Sequence, residues 1–408
     1  MKQGWEIKKL GEVCIVERGS SPRPIEKYQT DSADGVNWIK IGDTKGVDKY
    51  IYKTKEKITK EGAEKSRYVK EGDFILSNSM SFGNPYIMKT DGYIHDGWFV
   101  FRLPDYLDKD YFYYLLTSPT VQKQIQSLGA GAIVKNISGD LVKRVDITFP
   151  KSLSEQQRIV AILDEAFAAI AKAKANAQQN LQNAKELFES YLQGVFENGN
   201  WETKTIQEVT KVINGYAFAS RDFKSTNTIK SIKITNVGVK EFVEEADNYL
   251  PEKFKDTLKA VQVKEGNIVI ALTRTIISAG LKVAVVPESY DGALVNQRVA
   301  ALVPNEKIIN QRYLYNFLTT DGVAKYVLAH VNTLMQPNLS INDLKNLAVP
   351  CPSLKTQQTI VQKLDALNAE TKKLESIYQQ KINDLEELKK SVLQKAFSGE
   401  LKTVRGEV

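Results

Sequence analysis

Two short residue pairs have the composition of a nuclease metal site. Glu6 and Lys8 lie near the beginning of the chain, and Glu202 and Lys204 repeat the same Glu-x-Lys spacing near its middle. A carboxylate can hold a divalent cation, and a neighbouring lysine can stabilise negative charge that develops during phosphodiester cleavage. Such a site needs a second acidic ligand upstream, and Glu6 has no room upstream for one. We therefore interpret both pairs as parts of a β-strand that begins a globular unit.

Other motifs of nucleic-acid enzymes are incomplete. The adenine methyltransferase signature is an Asn or Asp followed by two prolines and an aromatic residue, and Asn84-Pro85-Tyr86 lacks one of the prolines. The sequence has neither a glycine-rich loop for S-adenosylmethionine after a strand nor a Walker A phosphate loop. Cys14 and Cys351 have no metal-ligand spacing, and we interpret both as packing residues. The sequence thus predicts a protein that is not an enzyme and holds no cofactor and no metal.

Four polar loops carry side chains that can bind DNA. SNSMSFGNP (77–85) and TRTIISAG (273–280) each lie between two predicted strands, and AIVKNIS (132–138) and LMQPNLS (334–340) each lie near the end of a globular segment. Their amide, hydroxyl and cationic groups are of the types that hydrogen-bond base edges and phosphates. The residues that we expect to approach DNA are Asn78, Ser79, Ser81, Lys135, Asn136, Thr273, Arg274, Thr275, Gln336 and Asn338.

The elements that must position these loops occur twice in the chain. SEQQRIVAILDEAF (154–167) returns as KTQQTIVQKLDALN (355–368), with matching residues 201 positions apart. WEIKKLGEV (5–13) likewise returns as WETKTIQEV (201–209). A fixed long period of this kind indicates a tandem duplication. Each copy comprises a globular unit of about 150 residues followed by a helix of about 45.

The two helical segments share one apolar pattern. Inward positions from Ile159 to Val195 follow steps of four and three residues with one extra step of four, and positions from Ile360 to Ala396 repeat that pattern. One interpretation is that each helix only covers its own globular unit. We favour an antiparallel pair, because some 45 residues at ~1.5 Å each make a rod of roughly 65 Å, far longer than one small domain needs.

Short β-rich runs and amphipathic helices predict that each globular unit is α+β. The strands that we expect are 36–43, 71–77 and 97–103 in the first copy, and 229–238, 266–272, 282–288 and 297–304 in the second. The fold class is thus two α+β domains joined by two long antiparallel coiled-coil helices, with an internal pseudo-two-fold repeat. The expected boundaries are 1–151 and 200–352 for the globular domains, and 152–199 and 353–408 for the helices.

Composition and charge fit a globular protein that can meet DNA. The 408 residues are 42% hydrophobic and carry a net charge of +7. The charge is +3 over 1–150, −1 over 151–200, +3 over 201–352 and +2 over 353–408, an excess that permits a nucleic-acid partner without requiring one. No apolar run approaches the roughly 20 residues of a membrane span, and the N-terminus does not resemble a signal peptide. We therefore expect a cytoplasmic protein.

Two motifs together carry a family resemblance. Each half begins with W-E-x-K-x-[IL]-x-E-V and ends in Q-Q-x-I-V-x-x-L-D shortly after a proline. In these motifs, and in LSNSMSFGNPYI and NQRVAALVP, the chain resembles the specificity (S) subunit of a type I restriction-modification system. The resemblance covers essentially the whole chain.

The resemblance implies a non-catalytic, sequence-specific DNA-binding subunit. Each globular unit would be a target recognition domain that reads one half of a bipartite site in double-stranded DNA. The helices would bind two methyltransferase (modification) subunits, to which restriction subunits are added. The residues that we expect to bind these partners lie on the outer faces of the helices and are Gln156, Gln157, Gln357 and Gln358.

Two other function classes stay open at this point. One is a fused endonuclease or methyltransferase, which would need the missing motifs. The other is a coiled-coil adaptor that binds no DNA. If the chain does read DNA, its two half-sites should differ, because the first copy has no arginine where the second has Arg274.

Overall fold

The computed structural model describes most of the chain as two compact units. The described residues are 3–78, 83–128, 138–245, 249–331 and 337–401. Unit 1 comprises Met1–Ala177 and Gln380–Val408, and unit 2 comprises Gln178–Gln379. Each unit therefore contains one globular copy, the first part of one long helix and the last part of the other.

Unit 1 is built from short strands and helices around a layered core. Its strands are β1 (Trp5–Lys9), β2 (Ile15–Arg18), β3 (Val36–Ile39), β4 (Tyr50–Ile51), β5 (Glu56–Ile58), β6 (Arg67–Val69), β7 (Phe74–Ser77), β8 (Pro85–Met88), β9 (Gly92–Ile94), β10 (Trp98–Arg102) and β11 (Asp146–Pro150). Its helices are α1 (Leu10–Val13), α2 (Lys60–Glu64), α3 (Lys109–Thr117), α4 (Pro119–Leu128), α5 (Gly139–Val142) and the first part of α6 (Leu153–Glu197).

Unit 2 repeats this plan. Its strands are β12 (Thr203–Thr205), β13 (Thr210–Asn214), β14 (Ile229–Ile232), β15 (Tyr249–Leu250), β16 (Ile268–Ala271), β17 (Ile276–Ile277), β18 (Gly280–Leu281), β19 (Val283–Val285), β20 (Leu294–Val295), β21 (Val299–Pro304) and β22 (Ala348–Pro350). Its helices are α7 (Ile206–Val209), α8 (Lys253–Thr257), α9 (Gln311–Leu318), α10 (Asp321–His330), α11 (Ile341–Asn346) and the first part of α12 (Leu354–Phe397).

The main sheet has the same strand order in both units. The order is β2-β10-β7-β8-β4 in unit 1 and β13-β21-β16-β19 in unit 2. The first four strands of unit 1 come from the sequence stretches that correspond to the four strands of unit 2. The predicted α+β repeat is therefore confirmed.

The central strand of each main sheet is buried on both faces. In β7, Phe74 and Leu76 point into a core shared with α3 and α4, whereas Ile75 packs against the smaller sheet β5-β3-β9-β6. In β16, Ile268 and Val269 divide between two cores in the same way. Burial of each such side chain stabilises the fold by about 1.5–3 kcal/mol, so the loops at the strand ends rest on a rigid support.

All seven predicted strands are shorter in the structure, and two of them end where a side chain begins a turn. The strand predicted over 36–43 ends at Ile39, because the Asp43 carboxylate accepts a hydrogen bond from the Lys40 amide at 2.8 Å and begins a 3-10 turn. Asn236 ends the strand predicted over 229–238 in the same manner.

The Trp-Glu-x-Lys motif begins a strand in the first copy, as predicted, whereas in the second copy Glu202 lies just before the strand and Lys204 lies in it. Trp5 lies in β1, which pairs antiparallel with β11, and Lys204 lies in β12, which pairs antiparallel with β22. The Glu6 carboxylate contacts the ammonium groups of Lys8 at 3.0 Å and Lys151 at 2.6 Å. These cations lower the pKa of Glu6, with Lys151 contributing most. Glu6 is thus part of a surface ion-pair network on a strand.

The two long helices run antiparallel within each unit. In unit 1, the Lys174 ammonium contacts the Glu386 carboxylate, and Lys389 Nζ lies 5.4 Å from the centre of the Phe167 ring. Of these two contacts, the one that lies later in α6, at Lys174, lies earlier in α12, at Glu386, so the helices run in opposite directions. In unit 2, one cavity places Phe188 near Leu364, and a second places Lys185 near Glu375, which is the same antiparallel direction.

The predicted inward positions of the two long helices, which together form the helical seam, are buried or half-buried with two exceptions. Tyr191 is 39% exposed, and Lys389 is also exposed. In place of Tyr191, the adjacent Leu192 is buried together with Phe196, because the last turns of α6 pack into the core of unit 2. Within the described ranges, none of the helices is both long and apolar enough to cross a membrane.

Each globular core is completed by the end of a long helix. Phe397 of α12 lies 5.3 Å from Tyr111 of unit 1, measured between ring centres. Phe196 of α6 lies 5.1 Å from Tyr313 of unit 2. Aromatic pairs at such distances add about 0.5–1.5 kcal/mol beyond their buried area.

Candidate nucleic-acid interface

In unit 2, the two predicted DNA-binding loops lie side by side. Thr273 and Asn338 form an isolated β-bridge. The Thr275 amide donates to the Pro337 carbonyl at 3.0 Å, and the Leu339 amide donates to the carbonyl of Leu272, directly before the first loop, at 2.9 Å. These bonds bring Thr273, Thr275 and Asn338 together at the end of β16.

Arg274 projects from this junction. Its side chain is exposed, and its backbone φ of +48° lies in the left-handed region. Non-glycine residues in that region are strained by about 1–3 kcal/mol and cluster at functional sites. An exposed guanidinium on such a loop can make paired hydrogen bonds to a guanine edge or a phosphate.

A second cation, Lys282, lies close to Arg274. The Lys282 ammonium donates to the Ile234 carbonyl at 2.8 Å. Burial lowers the pKa of Lys282, and the charge of Arg274 lowers it further. Two cations close enough to affect each other concentrate positive potential, which favours an anionic ligand.

Two buried polar atoms beside these cations lack a hydrogen-bond partner in the described part of the chain. Thr275 Oγ1 and Asn338 Oδ1 have no hydrogen-bond partner among the described residues. A buried polar atom left unpaired costs about 1–3 kcal/mol, so such atoms usually mark a place for a ligand or water.

Sequence reasoning missed Lys282, Gln297 and Arg298. The Arg298 carbonyl accepts a hydrogen bond from the Leu272 amide at 2.8 Å, which places it directly before the Arg274 loop. Both Gln297 and Arg298 are exposed. The sequence signal for Gln297 and Arg298 is the polar triplet that precedes the apolar run in NQRVAALVP, a stretch that the sequence analysis interprets only as a strand.

Unit 1 has the equivalent backbone junction. The Asn78 amide donates to the Gly97 carbonyl at 2.7 Å, as Leu272 does to Arg298 in unit 2. Asn78 is completely buried, as is Thr275 of unit 2, so neither side chain lies at the surface where the prediction placed it. The remaining predicted residues Ser79, Ser81, Lys135, Asn136 and Gln336 lie outside the described residues.

A glycine in each unit lets the chain approach this junction closely. A Cβ atom on Gly19 would lie 2.0 Å from the His95 carbonyl oxygen, and one on Gly215 would lie 2.0 Å from the Asn296 carbonyl oxygen. Contact with a backbone atom at that distance requires the chain to move. The residues that flank the predicted loops are therefore held at fixed positions in both units.

The first glutamine of each repeated pair is buried and has a structural role. Gln156 Oε1 accepts from the Asp108 amide at 2.7 Å, and its Nε2 donates to the carbonyls of Tyr106 at 3.1 Å and Pro150 at 2.9 Å. Asp108 in turn caps α3 by accepting from the Tyr111 amide. Gln156 thus joins the beginning of α6 to two segments of the globular core.

Gln357 makes the corresponding three contacts in unit 2. Its Oε1 accepts from the Asn310 amide at 2.7 Å, and its Nε2 donates to the carbonyls of Ile308 and Pro352. The expectation that both glutamine pairs lie on outer helix faces is therefore wrong for Gln156 and Gln357. Their neighbours Gln157 and Gln358 are exposed.

Neither cysteine has the environment of a reactive group. Burial raises the pKa of the Cys14 thiol to about 12. Burial also raises the pKa of Cys351, whose Sγ lies 3.8 Å from the Ile308 carbonyl. In the part of the chain that the structure describes, there is no cluster of three or more His, Cys, Asp or Glu side chains suited to a metal.

Comparison with known proteins gives a family match in both halves. The family model described as "Type I restriction modification DNA specificity domain" matches residues 2–181 and 198–387. The type I restriction enzyme MjaVIII specificity subunit of Methanocaldococcus jannaschii is 24% identical over 72% of this chain and 71% of its own length. The MjaIX specificity subunit of the same organism is 23% identical over 98% of this chain and 94% of its own.

Solved structures share the fold. A chain solved in work on complex assembly and conformational transition of the type I R-M system has a TM-score of 0.76 at 18% identity, and the match covers 98% of this chain and 99% of that one. The HsdS subunit from Thermoanaerobacter tengcongensis has a TM-score of 0.64 at 20% identity, with 98% of both chains covered.

Proposed function

The chain belongs to the type I restriction-modification DNA specificity family, and we propose that it selects the DNA target of such a system by reading a bipartite site. In this proposal, residues 1–151 and 200–352 are target recognition domains, each of which reads one half-site. Residues 152–199 and 353–408 are the helices that connect them and bind the partner subunits. The chain acts in the cytoplasm and catalyses no reaction itself.

The observation that carries the proposal is the convergence of polar and cationic groups in unit 2. The Thr273–Asn338 bridge brings two separate loops together, and Arg274 and Lys282 add positive charge beside them. Arg274 is suited to a guanine edge, because two of its five N–H donors can bond at the same time to the O6 and N7 acceptors. Lys282 and Arg298 are suited to phosphates, which fix the register of a protein on DNA without reading sequence.

Two equivalent surfaces on the helices support the binding of two methyltransferase subunits. Leu187 and Leu388 occupy matching positions of the repeat and are 50% and 48% exposed. Gln157 and Gln358 also match and are exposed. Exposed apolar side chains flanked by polar ones are typical of protein interfaces. Restriction subunits would join through the methyltransferase subunits.

The test is a methylome comparison of cells that carry the chain with its methyltransferase. Arg274→Ala should remove or relax the half-site read by unit 2 and leave the other half-site unchanged. A base-reading contact is worth about 1–3 kcal/mol, which corresponds to about 5- to 150-fold in affinity for that half-site.

Lys211→Ala is the matched control. Lys211 is an exposed cation of unit 2 that pairs with Val303, at the opposite end of the β13–β21 pair from Arg298. This variant should leave both half-sites intact. If Arg274→Ala alters both half-sites equally, or neither, the assignment of Arg274 is wrong, and if no bipartite motif depends on the chain, the proposed function is wrong.

A further inference from the structure

Unit 1 contains an open cavity that the interface described above does not use. Its volume is about 660 Å³, which lies in the range of pockets for small organic ligands. Pro22, Pro24 and Ile25 form apolar walls, and Trp38 and His95 also line the cavity. Stiff rings and a short aliphatic side chain suit a flat, rigid ligand.

The histidine in the cavity is neutral and oriented. His95 Nδ1 accepts a hydrogen bond from the Gly97 amide at 2.8 Å, so the ring proton resides on Nε2. Burial lowers the pKa of His95 and so favours the uncharged ring. The His95 and Trp38 ring centres are 6.2 Å apart. The cavity therefore has a buried aromatic floor at Trp38, which is 2% exposed, and one ring N–H donor at His95, a combination that suits a planar heterocycle.

Polar side chains at the mouth of the cavity are held in place by carboxylates. Arg23 Nη2 lies 3.2 Å from the Asp96 carboxylate, and the Arg23 side chain is still 79% exposed. Lys40 Nζ and Gln29 Nε2 both contact the Glu56 carboxylate at 2.7 Å. These groups can hydrogen-bond the edge of a heterocycle or the phosphate attached to it.

The corresponding region of unit 2 is filled. Phe218 matches Pro22 in the repeat and is only 8% exposed. Its ring centre lies 5.1, 6.2 and 5.6 Å from those of Tyr216, Phe223 and Phe254. The fold can thus close this space with aromatic side chains. Unit 1 leaves open to solvent a space that aromatic side chains close in unit 2, so this space is available to a ligand.

The cavity adjoins the proposed DNA interface. His95 lines the cavity, and two residues later the Gly97 carbonyl accepts a hydrogen bond from the Asn78 amide, at the beginning of the predicted DNA-binding loop. We propose that the cavity binds one nucleobase turned out of the DNA duplex at or beside the half-site of unit 1, packed against His95, Ile25 and the proline walls above the buried Trp38. This inference rests on the proposed function.

Photocrosslinking tests the position of the base in the assembled complex with its methyltransferase subunits. Duplexes would carry 5-iodouracil at successive positions in and around the half-site of unit 1, and crosslinked peptides would be identified by mass spectrometry. We expect crosslinks to the peptides that contain Trp38 or His95 from one position only. Crosslinks from no position, or equally from many, would overturn the proposal.

Filling the cavity provides an independent measurement. Ile25→Trp should reduce affinity for duplexes that contain the half-site of unit 1 by about 5- to 150-fold, the range of one base–aromatic stack. The matched control is Arg221→Trp, at the position of unit 2 that corresponds to Ile25 in the repeat, which should leave that affinity unchanged. Equal affinities of both variants and the unmodified complex would contradict the inference while leaving sequence-specific binding, and so the proposed function, intact.

Binding of free nucleotides shows whether the base in the cavity comes from DNA or from a free nucleotide. Binding of the four deoxynucleoside monophosphates to the complex without DNA would be measured by calorimetry, and we expect no saturable binding at micromolar concentration. Saturable binding that Ile25→Trp abolishes, without any effect on DNA affinity, would assign the cavity to a free nucleotide and overturn the proposal. If the unmodified complex does not bind DNA sequence-specifically at all, the proposed function itself is refuted.

Discussion

Replacing Gln156 by leucine removes three hydrogen bonds with little change in side-chain volume. The bonds join Gln156 to the Asp108 amide and to the carbonyls of Tyr106 and Pro150. Each contributes a net of about 0.5–1.5 kcal/mol, so the free energy of unfolding should fall by about 2–4 kcal/mol. Gln157→Leu is the matched control, because its side chain is exposed and adjacent in sequence.

Urea denaturation followed by tryptophan fluorescence would measure this loss. Trp5, Trp38 and Trp98, three of the 4 tryptophans, are buried in unit 1, so the signal reports mainly on the unit that contains Gln156. With a urea dependence of about 2 kcal/mol per M, the midpoint should fall by about 1–2 M. If Gln156→Leu proves as stable as Gln157→Leu, the buried glutamine does not stabilise the junction, and its repetition needs another explanation.

Two further predictions concern the helices. Inserting one heptad into both α6 and α12, in phase with their apolar pattern, lengthens each helix by about 10 Å at ~1.5 Å per residue. At ~3.4 Å per base pair, the gap between the half-sites should grow by up to three base pairs. An unaltered gap in the methylated motifs from an active complex would contradict this prediction. Leu388→Glu should leave one methyltransferase subunit bound per chain instead of two, because Leu187 preserves the matching surface. Native mass spectrometry at saturating methyltransferase would measure the stoichiometry, and two subunits on the variant would refute the role of Leu388.

The duplication and the α+β elements could be predicted because they depend on local patterns. A repeat motif and a heptad pattern identify α6 and α12 directly, and short continuous runs of apolar residues identify β7 and β16. The same patterns could not show that Gln156 is buried while Gln157 is exposed. That difference depends on a partner 48 residues away, the Asp108 amide, which no local period encodes.

The candidate interface was predicted in part for a similar reason. Polar composition identified the loop that carries Arg274 and the loop that carries Asn338, and the structure brings these two loops together. Composition could not show that Thr275 faces inward, because a turn with positive φ at Arg274 redirects the residue after it. Nor could it identify Lys282, which becomes a neighbour of Arg274 only through the pairing of strands.

The position of Phe397 in the core of unit 1 has a consequence for synthesis of the chain on the ribosome. Unit 2 is continuous in sequence, so all of its residues are available once Gln379 has been added. Unit 1 must wait for the last turns of α12, although its globular residues are complete by Pro150. At about 5–20 residues per second, that delay is roughly 10–50 s. During this time the surface around Tyr111 lacks its aromatic partner, so the nascent chain exposes an apolar patch that the finished protein covers, and the domain made first is the last to be completed.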